Sequence, residues 1–153
     1  MGRRAGTENL IGVAGMAAAA VAAQSDLASG RWDRVAHLRN ILEEAIGTEE
    51  SETIFVGKGS DRLPNTSCFI AEGWKGETQV MAMDLAGFAV SAGSACSSGK
   101  VKASRVLAAM GYDSALAGAA LRVSLGLGTT EDDVLRFAEA WVRGRRKMRS
   151  RAA

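Results

Sequence analysis

The sequence predicts an α+β fold, because helical and strand-like patterns alternate along one chain. Apolar residues recur every three or four positions in segments 31–46 and 134–141, as they do on the buried face of a helix. Short apolar runs at 53–56, 68–71 and 121–125 are bounded by glycine, polar or small residues, which is typical of strands. We therefore expect a short sheet with helices packed on one face.

Capping signals give the expected limits of the helices. Thr7 can accept a hydrogen bond from the first turn of an alanine-rich helix, and Gly47 is expected to end the second helix. Thr129 or Thr130 can cap the last helix, whose first turn is acidic and so suits the positive end of the dipole. Its apolar face is predicted to consist of Val134, Leu135, Phe137, Ala138 and Trp141. The other predicted helices span about 8–28, 31–46, 76–85 and 103–110.

Composition places the chain among soluble globular proteins. It has 153 residues, enough for one domain or one domain with an appendage, and its net charge of +2 points to no particular partner. Basic residues gather near the end of the chain, but no aromatic residues that could stack on bases lie among them, so we expect no nucleic-acid partner. The members of this basic run are Arg143, Arg145, Arg146, Lys147, Arg149 and Arg151.

The low number of cysteine and histidine residues argues against a disulfide-rich protein and against a metal-binding protein. Two cysteines are too few for a disulfide framework, and a reduced cytoplasmic protein is the simpler expectation. One histidine, His37, offers no cluster of metal ligands, so no metal site is predicted. His37 lies off the apolar stripe of its helix and is expected at the surface, while Cys68 lies in a predicted strand and is expected to be structural.

The N-terminus resembles a secretory signal in some respects. Arg3 and Arg4 precede an alanine-rich apolar region, and 20–22 could serve as a cleavage site. Glu8, however, interrupts the approach to that region, and no stretch is apolar enough to be a convincing membrane span. We expect a cytoplasmic protein without membrane contact, with export as the alternative.

The second cysteine lies in an unusual setting. Cys96 is surrounded by small residues in the segment Ser91–Gly99, between an apolar run and a helical pattern. Glycine and serine favour loops, and here they leave the thiol sterically accessible. A reactive thiol and an ordinary solvent loop are both compatible with this pattern.

A charged residue inside an apolar strand also needs a reason. Arg122 stands between Leu121 and Val123, so its side chain projects from the opposite face of the strand. If that face is solvent, the arginine is unremarkable. If it lines a cleft, the planar guanidinium is suited to bidentate binding of a carboxylate.

Three segments together resemble the C-terminal part of a cysteine desulfurase, a pyridoxal-phosphate-dependent member of the class V aminotransferases. Residues 4–9 (RAGTEN) resemble the R-[SA]-G-T-x-N stretch of that family, and 91–98 (SAGSACSS) resemble its catalytic-cysteine loop. Residues 121–126 (LRVSLG), followed by 129–131 (TTE), resemble a third segment of the family. Their order and intervals agree as well.

The resemblance implies a fold, a domain organisation and site residues. Residues 30–153 would be the small C-terminal α+β domain of a fold-type I transferase, and 1–29 a helix and cofactor-phosphate segment of the large domain. Cys96 would be the catalytic nucleophile that takes sulfur from pyridoxal-phosphate-bound L-cysteine as a persulfide and releases L-alanine. Arg122 would bind the substrate carboxylate, and Thr7 would contact the cofactor phosphate across a homodimer interface.

The resemblance also implies partners and one departure from the family. The sulfur would pass to an acceptor or scaffold protein, for iron–sulfur cluster assembly or another sulfur-transfer pathway. No lysine here stands in the context of the Schiff-base lysine of the family, so we expect no desulfurase activity from this chain alone. The alternative is a truncated, non-enzymatic sulfur carrier or partner-binding module that lacks this lysine.

Overall fold

A computed structural model describes residues 6–93 and 104–152 and confirms the predicted α+β class. The helices are α1 (Leu10–Ala28), α2 (Arg31–Glu49), α3 (Gly76–Leu85), α4 (Arg105–Ala109), α5 (Ser114–Gly118) and α6 (Glu131–Ala152). The strands are β1 (Ile54–Phe55), β2 (Thr66–Ile70) and β3 (Ala120–Ser124).

The three strands form a small antiparallel sheet in the order β1-β2-β3. Phe69 at the centre of β2 pairs with Phe55 on one side and Leu121 on the other. Beyond β3, within residues 6–93 and 104–152, the sheet is extended at one position, where Ser91 bridges to Arg122. Because successive side chains in a strand point to opposite faces, each strand contributes to two separate clusters.

The larger cluster lies on the face that carries Phe69 and Leu121, and it is covered by α2, α3 and α6. Trp141 of α6 is completely buried and meets the ring of Phe69 edge-on, with centroids 5.2 Å apart. The predicted apolar stripe of α2 consists of Trp32, Val35, Leu38, Leu42 and Ile46, and the structure buries all of them here except Trp32, which is half-buried against this cluster. These helices supply most of the hydrophobic core.

Two short helices cover part of the opposite face. Leu107 of α4 and Ala117 of α5 pack with Ile70 and Ala120. Helix α5 was not among the predicted elements, because its five residues are too few to show a period of 3.6. Arg122 projects from this same face and remains exposed.

Three expectations about the helices are wrong in detail. Asn9, not Thr7, caps α1, because its side-chain oxygen accepts from the amide of Gly12 at 3.0 Å. Helix α2 runs through Gly47 to Glu49, and a Cβ at Gly47 would already touch the Phe55 ring at 3.4 Å. Leu135, which we placed on the apolar face of α6, is 44% exposed.

Two of the basic residues near the end of α6 form ion pairs with acidic residues around the end of α2. Arg146 pairs with Glu49, and Arg149 contacts Glu50 at 3.2 Å and also pairs with Glu52. These ion pairs tie the last turns of α6 to the end of α2 and give Arg146 and Arg149 a structural role.

Helix α1 differs from the rest of the described structure, because none of its residues is buried. Helix α1 is long and apolar enough to cross a membrane by length and composition alone. This finding contradicts the expectation that no stretch of the chain is apolar enough for a membrane span. Core helices of soluble proteins and signal sequences meet the same criterion, so a single helix of this kind is weak evidence. The domain boundary expected between residues 29 and 30 stays a prediction.

Candidate functional site

Arg122 lies in the middle of β3, between two neighbours that the structure supplies from elsewhere in the chain. On one side its Cα partner is Cys68 of β2. On the other side its amide donates to the carbonyl of Ser91 at 2.7 Å, and the amide of Ser91 donates back to the carbonyl of Arg122 at 3.1 Å. The exposed guanidinium of Arg122 therefore belongs to a short row of residues that crosses the sheet.

The hydrogen-bond register decides how close Cys68 and Arg122 lie. The amide of Leu125 donates to Asn65 and the amide of Ala71 donates to Ala119, so the hydrogen-bonded pairs of β2 and β3 fall on alternate positions. Cys68 and Arg122 occupy a non-hydrogen-bonded position, where Cα atoms are only about 4.5 Å apart. Their side chains share one face, and the thiol lies beside the stem of the arginine.

The surroundings of Cys68 do not favour a reactive thiol. Burial raises the pKa of the Cys68 thiol above its ordinary value, and the positive charge of Arg122 offsets only part of that effect. The thiol is therefore protonated at neutral pH and is a poor nucleophile. This environment agrees with the structural role expected for Cys68.

The catalytic cysteine expected at Cys96 lies outside the described residues, but the start of its loop does not. Ser91, Ala92 and Gly93 are described, and Ser91 is the residue that bridges to Arg122. Cys96 is three residues beyond Gly93, so covalent geometry keeps their Cα atoms within about 11 Å of each other. The described structure therefore places the start of the cysteine loop beside Arg122.

A cleft with a volume of about 440 Å³ borders the start of this loop. Its walls come from the beginning of α3, from Ala92 and Gly93, and from α5. Most of the lining residues are small, and the charged ones are Lys75 and Glu77 at the start of α3. The cleft is therefore an open space beside the loop and contains no cluster of catalytic groups within the described residues.

Thr7 is not brought to the same place by any contact in the described structure. It is exposed and precedes α1, which packs mainly against α2. No described hydrogen bond or ion pair joins Thr7 to Arg122. The structure thus brings together Arg122 and the loop that leads to Cys96, and it leaves Thr7 apart from them.

The described residues do not by themselves fit pyridoxal phosphate. That cofactor needs a lysine amine held close to the group that binds the substrate carboxylate. Lys58 lies over the Phe55 ring at 5.2 Å, Lys75 is exposed at the N-cap of α3, and Lys147 is exposed on α6. Within the described ranges there is likewise no group of acidic, cysteine or histidine side chains that could hold a metal ion.

Sequence reasoning missed the polar residue that organises this side of the core. Gln79 of α3 is completely buried, and its amide nitrogen donates to the carbonyls of Trp74 and Ala119, each at 2.8 Å. Its amide oxygen accepts from the indole nitrogen of Trp141 at 2.9 Å. A glutamine among apolar positions was the available signal, but its partners are distant in sequence.

Comparison with known proteins identifies the family. The class-V aminotransferase family matches residues 1–137. A cysteine desulfurase from Cereibacter sphaeroides is 40% identical over 138 residues, which cover 90% of this chain and 35% of that protein. The cysteine desulfurase IscS of Dictyoglomus turgidum is 36% identical over 132 residues, which cover 86% of this chain and 33% of that protein.

A solved structure supports the same assignment. The X-ray structure of a NifS-like protein from Rickettsia africae superposes with a TM-score of 0.78 at 26% identity, over 92% of this chain and 36% of that one. The chain spans about a third of the length of the curated relatives it matches. It belongs to the class-V aminotransferase family, and its relatives within that family are cysteine desulfurases.

Proposed function

We propose that this chain is the sulfur-accepting part of a cysteine desulfurase. Cys96 takes the sulfur atom of L-cysteine while Arg122 binds the carboxylate of the same substrate, and L-alanine is released. The observation that carries this proposal is the double hydrogen bond between Ser91 and Arg122. It joins the start of the cysteine loop to the residue proposed to bind the substrate.

Arg122 is suited to the binding step. Its side chain is exposed, and it forms no ion pair within the part of the chain that the structure describes. The residue opposite Arg122 in β2 is Cys68, whose protonated thiol carries no negative charge. It therefore does not compete with a substrate carboxylate for the guanidinium. An exposed guanidinium without a carboxylate partner can bind the carboxylate of a substrate with two parallel hydrogen bonds, and these bonds also orient the substrate.

The sulfur transfer balances without an external oxidant or reductant. The Cys96 thiolate attacks the sulfur of L-cysteine, so an S–S bond forms and the C–S bond of the substrate breaks. The electron pair of that bond remains on the β-carbon, which takes up a proton and becomes the methyl group of L-alanine. Cys96 ends as a persulfide, which an acceptor thiol can then attack.

The cofactor and partners of the whole protein form part of the proposal. Pyridoxal phosphate would supply an electron sink for breaking the C–S bond, held by protein outside the described residues. We propose in addition a sulfur-acceptor or scaffold protein for iron–sulfur cluster assembly and a homodimeric state, as the family resemblance implies, and a cytoplasmic location, as the low cysteine content suggests. Peptide mass spectrometry of the cellular protein tests the location, because export with cleavage would remove the peptides around residues 1–22.

The test of this function is release of L-alanine in a reconstituted reaction. The chain is mixed with pyridoxal phosphate, L-cysteine and a lysine-containing N-terminal two-thirds of the Cereibacter sphaeroides relative. We expect alanine release that is abolished by Cys96→Ser and unaffected by Cys68→Ser. No alanine from the mixture, in spite of demonstrated association of the two parts, would contradict the proposal.

Replacement of Arg122 separates substrate binding from sulfur transfer in the same assay. Arg122→Gln loses a charge-assisted pair of hydrogen bonds that is worth about 1.5–3 kcal/mol, so kcat/KM is expected to fall roughly 10- to 150-fold. The loss should lie mainly in KM, because the nucleophile is unchanged. Arg122→Lys keeps the positive charge but lacks the planar guanidinium, so its kcat/KM should lie between those of the parent and Arg122→Gln. An unchanged KM in Arg122→Gln would remove Arg122 from the site.

A further inference from the structure

The first turn of α3 lies unusually close to the start of the cysteine loop. Gly76 is the first residue of α3 and is buried. A Cβ added there would lie 2.6 Å from the carbonyl oxygen of Ala120 and 3.0 Å from the Cβ of Ala92. Real Cβ atoms do not approach a backbone oxygen at that distance, so only glycine permits this packing.

The two shortest contacts that a Cβ at Gly76 would make lie along the outer edge of β3, and a third, at 3.3 Å, is with the carbonyl of Gly118 in α5. Ala120 and Ile70 occupy a non-hydrogen-bonded position of the β2–β3 ladder, so the carbonyl of Ala120 points away from β2. Two residues further along the same edge, Arg122 pairs with Ser91. Gly76 therefore packs against the segment that continues from this pairing toward Cys96.

The buried hydrogen bonds of Gln79 hold α3 against β3. The Gln79 amide nitrogen donates to the carbonyl of Ala119, at the entrance to β3, and its amide oxygen accepts from the indole of Trp141 in α6. Ala92 is half-buried against the core and follows the Ser91 bridge. An atom added at Gly76 would therefore press on the outer edge of β3 and on Ala92 together.

We propose that Gly76 is a positioning residue for the cysteine loop. Its missing side chain lets Ala92 lie against α3, and this keeps Ser91 in register with Arg122. In the context of the proposed function, on which this inference rests, Gly76 sets where the loop leaves the sheet relative to the residue that binds the carboxylate. Gly76 itself touches neither substrate nor nucleophile.

Three glycine-to-alanine variants of the full chain test this assignment. Gly76→Ala introduces the contacts with the carbonyl of Ala120 and with Ala92. Gly144→Ala is a control for loss of stability, because its Cβ would lie 2.9 Å from the Trp74 ring and meet neither Ala120 nor Ala92 within 3.5 Å. Gly118→Ala is a control for the substitution itself, because a Cβ at Gly118 meets no atom within 4 Å.

The first readout is hydrogen exchange of the two amides that form the bridge. We expect Gly76→Ala to accelerate exchange at Ser91 and Arg122 by about tenfold or more relative to Phe69 in the central strand. The Gly144→Ala variant should speed exchange at Ser91, Arg122 and Phe69 by the same factor, so the ratio of their exchange rates should match that of the parent. The comparison is made at a denaturant concentration at which the two variants are equally stable. Equal ratios in Gly76→Ala and Gly144→Ala would overturn the assignment. If Gly76→Ala does not fold, Ala92→Val presses on the same contact from the loop and should give the same pattern.

The second readout is alkylation of Cys96 by iodoacetamide as a function of pH, in a Cys68→Ser background. Alkylation by iodoacetamide responds to the electrostatic surroundings of a thiol, so displacement of the loop start relative to Arg122 should change the midpoint of the Gly76→Ala profile from that of the parent. The profiles of Gly144→Ala and Gly118→Ala should match that of the parent, and a Gly76→Ala profile that also matches would count against the assignment. Neither readout requires sulfur transfer, so failure of alanine release alone would refute the proposed function and leave the position of the loop intact.

Discussion

Replacing Gln79 by leucine is expected to lower the free energy of unfolding by about 3–5 kcal/mol, the largest effect of any single substitution considered for stability. Leucine is close to glutamine in volume, so packing changes little. What is lost is the set of three hydrogen bonds that Gln79 makes inside the core. The Trp141 indole and the carbonyl of Trp74 would lose these bonds, while the carbonyl of Ala119 would keep the bond from the Ala71 amide at 3.2 Å.

Each buried polar group left without its partner costs about 1–3 kcal/mol, which explains the size of the expected effect. Urea denaturation at neutral pH, followed by tryptophan fluorescence, measures it directly. Thr78→Ala is the matched control, since the exposed Thr78 hydroxyl makes one local hydrogen bond to Lys75. That control should lose less than about 1 kcal/mol. A Gln79→Leu protein as stable as the parent would show that this network does not hold α3 to β3 and α6.

Replacing Glu43 by glutamine is expected to cost about 2–3 kcal/mol at neutral pH and to change how stability depends on pH. The Glu43 carboxylate is buried between α2 and β2. It accepts two hydrogen bonds from Arg62, at 2.7 and 3.1 Å, and one from the Ser67 hydroxyl at 2.7 Å. This cost is lower than the cost of breaking a fully buried ion pair, because the side chain of Arg62 remains 15% exposed.

The pKa of Glu43 gives the sign of the pH dependence. Burial raises this pKa, but the hydrogen bonds from Arg62 and Ser67 and the charge of Arg62 outweigh burial and hold it below its usual value. A carboxyl whose pKa is lower in the folded state stabilises the protein above the unfolded pKa, and that contribution is lost as pH falls through the folded pKa.

The parent protein should therefore lose stability on acidification below about pH 4.5, and Glu43→Gln should lose less over the same range. Glu44→Gln is the matched control, because Glu44 is the exposed neighbour on the same helix. Urea denaturation at a series of pH values provides the measurement. Parallel pH profiles for the parent and Glu43→Gln would mean that the folded-state pKa of Glu43 is not lowered.

Local patterns were sufficient for those parts of the fold that depend on neighbouring residues. The spacing of Trp32, Val35, Leu38, Leu42 and Ile46 predicted a buried helical face, and the structure buries all of these residues except Trp32, which is half-buried. The alternation around Arg122 predicted that its side chain points away from Leu121 and Val123, and it does. Such periodicities are properties of one segment and need no knowledge of the rest of the chain.

Features that depend on distant partners could not be predicted in the same way. The role of Gln79 depends on residues 40 and 62 positions away, and nothing near Gln79 in the sequence indicates them. The role of Gly76 depends on the close approach of β3 and Ala92. For Arg122, the sequence left open whether its face is plain solvent or a cleft, and only the Ser91 bridge connects it with the cysteine loop.

The location of the transferred sulfur tests the central claim most directly. After reaction with L-cysteine in the reconstituted mixture, the chain is trapped with an alkylating reagent, digested and examined by mass spectrometry. The account predicts that the peptide with Cys96 gains the mass of one sulfur atom, which a reductant removes, and that the peptide with Cys68 gains none. Sulfur on Cys68, or sulfur on neither cysteine while alanine is released, would contradict the proposal that Cys96 accepts the sulfur of the substrate.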